Sequence, residues 1–359
     1  MEKSARFNPT VIHMDITGKC NFSCLHCRGT TKSKELSLQD WKEIINKIAK
    51  YWANTIEWFE IGGGEPFMRK DLFEILQHIK RRVPNAKILL VTNGSLIKTE
   101  HLQSIKKFID RIQFSLDGSK KETHDKIRNY PGSFDKVIQN IKRIKEEKIY
   151  NIIRATITKV NYSELEDIIL LGKTLGVNEV GIRSMVISEG SSVLNNGLGL
   201  SLKEQHELLQ RIPDLQSKHK IRIYSGDPLQ NLLDPIFIKH IKNKGHKIEN
   251  TFAGCLVGIS YLYINNAGFI AFCPMLNNLV LGNALLEDPL EIWNNNVLLN
   301  DLRISKFSED SNCATCRFKC VCGGCRARAL FKNKDLLKQD PICDDNLREK
   351  INLLWEKTK

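Results

Sequence analysis

The chain has 359 residues, of which 42% are apolar and 26% are charged, a balance typical of a globular protein with room for two or three domains. It has no apolar stretch of signal-peptide length at its start and no later run as long as a membrane span, so we predict a cytoplasmic protein with no membrane partner. The formal net charge is +13, but the lysines are spread along the chain, which indicates a solvated basic surface and no nucleic-acid partner.

Six short apolar runs, several of them rich in β-branched or aromatic residues, alternate with amphipathic stretches as buried parallel strands do with helices. The runs are VIHMDIT, TIEWFEI, KILLVT, RIQFSL, NIIRATI and EVGIRS, between residues 11 and 184. Ser37 with Asp40 predicts a capping box at the first helix, and Gly176 predicts a helix end. The series predicts a partial (β/α)6 TIM-like barrel of parallel strands, with a doubly wound open sheet as the alternative.

The composition changes in the second part of the chain. Residues 231–254 read as a bridge that contains a basic amphipathic helix, and eight of the eleven cysteines lie from position 255 to 343. We therefore expect a barrel domain over residues 1–230, the bridge, and a small metal-stapled domain with a C-terminal helix over residues 255–359.

Three cysteines follow the first predicted strand in the segment CNFSCLHC, namely Cys20, Cys24 and Cys27. Clustered thiols in a reducing compartment more often bind metal than form disulfides, and soft thiolates are the ligands of iron–sulfur clusters. A zinc ion would need a fourth ligand nearby, and His26 stands between two of the thiols, where its ring is expected to point away from a shared metal. Three thiols leave one position of a four-iron cube open.

The next three predicted strands end in EIGGGEP (60–66), VTNG (91–94) and FSLDGS (114–119). In parallel β/α folds the C-terminal ends of the strands build the active site. We therefore expect the cysteine loop, a glycine-rich turn, Asn93 and the pair Ser115 and Asp117 to meet at one mouth.

This constellation over residues 11–185 resembles the radical S-adenosylmethionine (SAM) superfamily. The resemblance implies that the three cysteines hold a [4Fe–4S] cluster whose fourth iron is chelated by the amino and carboxylate groups of SAM. Reductive cleavage of SAM would then give a 5′-deoxyadenosyl radical, with an external one-electron reductant as partner. The implied cofactor-binding residues are Gly63, Gly64, Glu65, Asn93, Ser115, Asp117 and Arg154. Arg128 is a second candidate for the SAM carboxylate, and Arg183 could face the substrate.

The later cysteines allow two interpretations. Cys313, Cys316, Cys322 and Cys325 have the spacing of a zinc ribbon, but the flanking cysteines suit two iron–sulfur cubes better. The region also resembles the SPASM domain, which carries auxiliary [4Fe–4S] clusters. That resemblance assigns two ligand sets, Cys255, Cys273 and Cys325 for one cluster and Cys313, Cys316, Cys322 and Cys343 for the other. Here the first set lacks the additional upstream cysteine of fully ligated members, and Cys320 has no implied role.

The resemblance implies an oxidoreductase, and its substrate has two interpretations. The first is a maturase that oxidatively modifies a ribosomal peptide or a protein side chain, as SPASM proteins most often do. The second is an enzyme that modifies the carboxylate side chains of a tetrapyrrole in alternative haem synthesis, which the segment GGCRARA with its following Asp-Pro resembles. A basic chain suits either an acidic peptide or a small polyacid. A non-catalytic iron–sulfur or zinc module is the hypothesis from another class.

Overall fold

The computed structural model describes residues 7–31, 34–187, 197–243, 248 and 251–358, so part of the predicted bridge lies outside the described residues. The strands are β1 (Val11–Thr17), β2 (Trp58–Gly63), β3 (Lys87–Thr92), β4 (Arg111–Ser115), β5 (Tyr150–Ile157), β6 (Glu179–Ser184), β7 (Arg222–Ser225), β8 (Tyr261–Ile264), β9 (Phe269–Ala271) and β10 (Val280–Asn283).

Helices connect the first seven strands and dominate the end of the chain. They are α1 (Leu38–Trp52), α2 (Leu72–Arg82), α3 (Leu102–Phe108), α4 (Lys121–Arg128), α5 (Ser133–Glu146), α6 (Leu165–Leu175), α7 (Leu202–His219), α8 (Gln230–Leu233), α9 (Pro235–Asn243), α10 (Pro289–Asn295), α11 (Val297–Arg303), α12 (Lys319–Cys322), α13 (Arg326–Asn333) and α14 (Asp345–Lys357). Among the described residues, no helix is long and apolar enough to cross a membrane.

The strands form one sheet in the order β10-β9-β8-β1-β2-β3-β4-β5-β6-β7. Every pair from β8 through β1 to β7 is parallel, and each strand from β2 to β7 lies beside the one that precedes it in the chain. A doubly wound sheet would reverse its order at a switch point, which this sheet does not do between β1 and β7. The predicted α/β fold with barrel-type strand order is confirmed, and β7 adds a seventh parallel strand to the six predicted.

Local signals in the sequence explain where the elements begin and end. The capping box at α1 is present, since Ser37 and Asp40 satisfy each other's backbone N–H groups. Gly176 ends α6 with φ at 67°, the left-handed conformation that glycine adopts without a steric penalty. Both predictions are confirmed.

The sheet has an apolar outer face and a polar inner face. Along β1, Ile12, Met14 and Ile16 are completely buried in the main hydrophobic core together with the helices. The alternate residues point to the opposite face, because successive side chains of a strand alternate. We call this the inner face. Its residues used below are His13, Asp15, Glu60, Gln113, Arg154, Arg183 and Tyr224.

The cysteine-rich region continues this sheet and then shares a second core with residues of α7 to α9 and the turn before α8. β8 pairs with β1 in parallel, and β9 and β10 extend the sheet as antiparallel strands. In this second, smaller core α14 packs against α8, α9 and the segment with Phe318 and Val321. The rings of Phe318 and Trp355 lie at a centroid distance of 4.8 Å. The region that follows Cys255 is therefore fixed to the strand that carries the first cysteine loop.

Candidate active site

The first cysteine loop lies at the C-terminal end of β1, and each of its thiols faces an N–H donor. The backbone N–H of Phe22 donates to Cys20 Sγ (3.4 Å) and that of Gly29 donates to Cys27 Sγ (3.3 Å). Arg128 donates to Cys24 Sγ at 3.6 Å. Donors aimed at sulfur stabilise thiolates that ligate a metal cluster, so the chemistry of this loop fits the iron–sulfur cluster that the sequence predicts.

The three thiols lie close enough together to interact electrostatically. Burial raises the pKa of Cys20 to about 11, and burial also raises the pKa of Cys24. Thiols in such surroundings keep their protons until a bound cation favours the thiolate. Cys20 and Cys24 are therefore poorly suited to act as free nucleophiles, and ligation of a metal cluster by this loop stays a prediction.

The glycine turn after β2 packs directly against this loop. A Cβ atom at Gly64 would lie 2.0 Å from the carbonyl oxygen of Lys19, so only glycine fits there. Gly63 has φ at 122°, a conformation that side chains rarely allow. The backbone N–H of Glu65 donates to the same Lys19 oxygen (2.8 Å). The glycines thus bring β2 and the cysteine loop into backbone contact.

Glu65 and Asn93 connect the ends of β2 and β3. The buried carboxylate of Glu65 accepts hydrogen bonds from Asn93 N (2.7 Å), Thr92 Oγ1 (2.7 Å) and Phe67 N (3.2 Å). Burial nevertheless raises the pKa of Glu65 to about 7. The side chain of Asn93 donates to Asn21 Oδ1 (2.9 Å) and lies 4.0 Å from Cys20 Sγ. These two predicted residues therefore meet beside the cysteine loop.

Asp117 anchors the other side of the loop. Its completely buried carboxylate pairs with Arg128 (2.6 Å), lies 2.8 Å from His26 Nε2, and accepts the backbone N–H of Thr156 (2.8 Å). Burial opposes ionisation, but Arg128 and His26 outweigh it and hold the pKa of Asp117 well below its usual range. The His26 ring is thus engaged with Asp117, and its orientation away from a shared metal stays a prediction.

A network on the inner face joins the cysteine loop to β8, and sequence reasoning missed it. Arg28, directly after Cys27, forms an ion pair with buried Asp15, in which Nη2 lies 2.9 and 2.7 Å from the two carboxylate oxygens. Tyr263 donates to the same carboxylate (2.6 Å), and Arg28 also donates to the carbonyl oxygen of Pro274 (3.3 Å). The polar residues that alternate within VIHMDIT were the available signal, because a strand buried on both faces should be apolar throughout.

His13 lies between two carboxylates in this network. Its ring nitrogens are 3.1 Å from Asp15 and 3.0 Å from Glu60. Burial alone would lower the pKa of His13, but the hydrogen bonds to both carboxylates outweigh burial and raise the pKa above 6.5. The imidazolium form is therefore favoured in the folded protein.

This raised pKa predicts a pH dependence of stability. Because the folded pKa of His13 exceeds the unfolded value, its contribution is fully present below pH 6.5 and is lost as pH rises through the folded pKa. Each unit of the raise is worth about 1.4 kcal/mol. The difference in free energy of unfolding between the wild type and His13→Gln, measured by urea titration under anaerobic conditions, should therefore shrink with rising pH. A constant or growing difference would contradict the ion-pair assignment.

Arg154 and Arg183 approach each other on the inner face near Gly226. Arg154 Nη2 and Arg183 Nη1 lie 3.3 and 3.8 Å from the position that a Cβ atom of Gly226 would take. Their nearby carboxylates are engaged elsewhere, since Glu60 bonds His13 and Asp227 pairs with Arg328. Among the residues that the structure describes, the buried Nε of Arg183 has no hydrogen-bond partner. The inner face therefore has two guanidinium groups that can receive an anion.

The remaining residues singled out in the sequence are Ser115, at the end of β4, and Cys320, in the cysteine-rich region. Ser115 ends β4 and pairs in register with Arg154 on β5. Tyr224 on β7 donates to Gln113 Oε1 (2.6 Å), and Arg154 also contacts Tyr224. Cys320 is buried with its thiol 3.3 Å from Ser305 Oγ. The structure brings Ser115 and Arg154 to the same mouth and leaves Cys320 outside it.

The later cysteines gather in two groups. Cys273 interacts electrostatically with Cys255 and Cys325, and burial raises its pKa to about 12. In the second group, Cys343 interacts with Cys313 and Cys316, Cys322 interacts with Cys343 and Cys313, and burial raises the pKa of Cys343 to about 12. This grouping follows the two sets that the SPASM resemblance implies, whereas a zinc ribbon would place Cys325 in the second group, and the role of these cysteines as cluster ligands stays a prediction. In the described parts of the chain, no group of three or more His, Cys, Asp or Glu is arranged to hold a single metal ion.

Comparison with known proteins agrees with this geometry. The sequence profile of the radical SAM superfamily matches residues 14–172, and that of the SPASM iron–sulfur cluster-binding domain matches residues 255–320. The AdoMet-dependent heme synthase of Methanosarcina barkeri is 28% identical over 93% of this chain and 96% of its own. The mycofactocin maturase MftC of Mycolicibacterium smegmatis is 26% identical over 93% of this chain and 82% of its own.

Among solved structures, Streptococcus suis SuiB bound to S-adenosylmethionine aligns with a TM-score of 0.74. The alignment covers 94% of this chain and 77% of SuiB at 18% identity, so it concerns the fold alone. The family profiles support an enzyme over a non-catalytic metal-binding module. The chain therefore belongs to the radical SAM superfamily and is an enzyme with a C-terminal SPASM domain, a family that uses [4Fe–4S] clusters and S-adenosylmethionine.

Proposed function

We propose that this enzyme reductively cleaves SAM at the first cysteine loop and uses the resulting radical to modify a carboxylate-bearing substrate on the inner face of the sheet. The observation that supports this proposal most directly is the geometry of the loop. Its three thiols face N–H donors, and the glycine turn packs against the backbone of the loop. When bound, the [4Fe–4S] cluster and SAM supply the 5′-deoxyadenosyl radical, and an external reductant supplies the electron.

The residues of this chain then bind and orient the cofactor. We propose Cys20, Cys24 and Cys27 as cluster ligands, and the backbone of Gly63 and Gly64 as the contact for the amino group of SAM. Asn93, Ser115 and Asp117 remain predicted to lie near the ribose and the methionine part.

The choice of arginine for the SAM carboxylate follows from ion pairing. Arg128 is already neutralised by Asp117 at 2.6 Å and donates to a cluster thiol. Arg154 contacts Tyr224. Glu60 is the carboxylate that interacts electrostatically with Arg154, but this carboxylate is hydrogen-bonded to His13. A guanidinium group binds a carboxylate best where it is not already paired. We therefore propose Arg154 for the SAM carboxylate and Arg128 as the residue that supports the loop through Asp117.

For the substrate, we propose a tetrapyrrole with carboxylate side chains. Within the described part of the chain, the buried Nε of Arg183 has no hydrogen-bond partner, and a buried unpaired donor is costly unless a ligand satisfies it. A polyacid macrocycle would supply such a ligand. Three of the curated relatives, each aligned over at least 88% of its own length, are named as AdoMet-dependent heme synthases.

Maturation of a peptide or protein side chain is the second candidate. It is favoured by relatives named as the mycofactocin maturase MftC and the subtilosin biosynthesis protein AlbA. An acidic side chain of a peptide could also occupy the site at Arg183. Either reaction would take place in the reducing cytoplasm, where thiolate-ligated clusters are maintained.

The proposal is tested with anaerobically reconstituted protein, a strong reductant, SAM and iron coproporphyrin III. Formation of 5′-deoxyadenosine together with a product lighter by one carbon dioxide and two hydrogens for each modified side chain would support tetrapyrrole chemistry, since one hydrogen atom goes to the 5′-deoxyadenosyl radical and the other leaves as a proton and an electron. If 5′-deoxyadenosine forms but the porphyrin is unchanged, short peptides encoded beside the gene should be assayed for loss of hydrogen. Absence of SAM cleavage under all these conditions would refute the proposed function.

Substitution of Arg183 should raise KM for a carboxylate substrate. Loss of a charge-assisted hydrogen bond costs about 1.5–3 kcal/mol, so we expect roughly a 10- to 100-fold rise in KM for Arg183→Gln with a smaller change in kcat. Arg183→Lys retains the charge and should show a smaller rise. The test is steady-state kinetics with the porphyrin, and an unchanged KM in Arg183→Gln would exclude this arginine from substrate binding.

A further inference from the structure

A buried cluster of three charged residues joins the end of the sheet to the cysteine-rich region. Arg328 contacts both carboxylate oxygens of Asp227, at 2.5 and 3.0 Å. It also contacts both oxygens of Asp340, through Nε at 2.9 Å and Nη2 at 2.7 Å. All three residues are buried, with Arg328 7% exposed, Asp227 3% exposed and Asp340 1% exposed. We call this cluster the Asp227–Arg328–Asp340 clamp.

The clamp connects two parts of the fold that are distant in sequence. Asp227 lies two residues after β7, at the last parallel strand of the sheet. Arg328 lies in α13, which begins directly after Cys325. Asp340 lies between Cys325 and Cys343. One arginine therefore ties the inner-face end of the sheet to the segment that carries the later cysteines.

Asp340 contacts cysteines of both groups. Its carboxylate accepts the backbone N–H of Cys325 at 2.6 Å, and its carbonyl oxygen accepts that of Cys343 at 2.9 Å. Its backbone N–H is directed at the thiol of Cys313. Any movement of Asp340 would thus shift cysteines of both groups at once.

Stability alone does not explain three buried charges at this place. Removing ions from water is costly, and well-packed apolar residues can replace a buried ion-pair triad with no loss of stability. What apolar residues cannot provide is directional contact with two carboxylates at once. The planar guanidinium group does this with five fixed donors, whereas lysine is a point charge on a flexible stem.

We propose that Arg328 is a positioning residue, which through Asp340 and Asp227 fixes the two auxiliary cysteine groups relative to each other and to the inner face. This inference rests on the proposed role of these cysteines as cluster ligands. Hydrogen bonds and nearby charges set the reduction potential of an iron–sulfur cluster, so the clamp also determines the electrostatic surroundings of both auxiliary clusters.

The test compares Arg328→Lys with the wild-type holoenzyme by iron analysis and by redox titration followed by electron paramagnetic resonance. We expect a shift in the midpoint potentials of the auxiliary clusters, or loss of their signals. The signal that responds to added SAM should stay unchanged. Arg222→Lys is the matched control, since Arg222 begins the same strand, β7, and pairs with Glu179 at 3.1 Å, but its side chain is 66% exposed.

Auxiliary potentials and iron content identical to the wild type in Arg328→Lys would overturn the proposal. If that variant fails to fold, Asp227→Asn decides, because it keeps the size of the side chain and removes only the charge on the sheet side. Shifted auxiliary potentials in Asp227→Asn support the clamp, and unchanged potentials overturn it. These readouts need neither substrate nor turnover, so failure of the proposed SAM cleavage would be seen separately, as absence of 5′-deoxyadenosine from the wild type.

Discussion

Cys24→Ala is expected to reduce 5′-deoxyadenosine formation to background. The substitution removes one of three thiols that face N–H donors and leaves Arg128 without the sulfur to which it donates at 3.6 Å. If the loop ligates the cluster as proposed, only two thiolates would remain as iron ligands and the site would no longer hold SAM in a reactive position. The measurement is anaerobic SAM cleavage with a strong reductant, together with iron analysis.

The matched control is Cys320→Ala, which also removes a single thiol. Cys24 is partly buried and Cys320 is buried, but the Cys320 thiol lies beside Ser305 and not in the loop. It should keep SAM cleavage at the wild-type level, with a stability loss of about 1 kcal/mol. In Cys24→Ala, the iron bound by the later cysteines should remain. Undiminished 5′-deoxyadenosine in Cys24→Ala would contradict the assignment of the loop.

Gly64→Ala is expected to produce the second-largest loss. The added Cβ atom would lie 2.0 Å from the carbonyl oxygen of Lys19 and 3.1 Å from the backbone nitrogen of Cys20, and backbone atoms cannot move aside as a flexible side chain can. The cysteine loop or the end of β2 must therefore shift. A displacement of about 1 Å at a reacting centre costs roughly 100-fold in rate, and we expect a loss of that order in SAM cleavage.

Gly62→Ala is the control for this steric argument. Gly62 lies in β2, two residues before Gly64. A Cβ atom at Gly62 would lie 3.6 Å from Asp15 and from His13, which is ordinary van der Waals contact. Iron content at the first loop should stay close to the wild-type value in Gly62→Ala and fall in Gly64→Ala. If both variants had the same iron content, and Gly64→Ala cleaved SAM as fast as Gly62→Ala, the turn would tolerate a side chain at position 64.

Much of the fold was predictable because its signals are local. A short apolar run bounded by turns identifies a buried strand wherever it occurs, and the six predicted strands all appear in the sheet. Ser37 with Asp40 and Gly176 act through backbone groups within a few residues of themselves, so their caps could be placed without tertiary information. The seventh strand was missed, because four residues with charged or polar alternates give too weak a periodic signal.

The candidate site was predictable where residues follow the end of a strand. Because parallel strands end at one edge, sequence position relative to the strands was enough to bring Glu65, Asn93 and Asp117 to the cysteine loop. Which partner each would find was not predictable. Asp117 pairs with Arg128 and His26, a contact that depends on how α4 packs over the loop.

By itself the sequence determined the strand series, the three-thiol loop and the family, since each is written in contiguous residues. Only the tertiary structure decided that β8 extends the same sheet, that Asp15 joins Arg28 to Tyr263, and that Arg328 bridges Asp227 and Asp340. The physical reason is that a buried charge must find a partner wherever the chain brings one within reach. Pairs separated by 101 or more positions, such as Asp227 with Arg328, leave no periodic trace in one sequence.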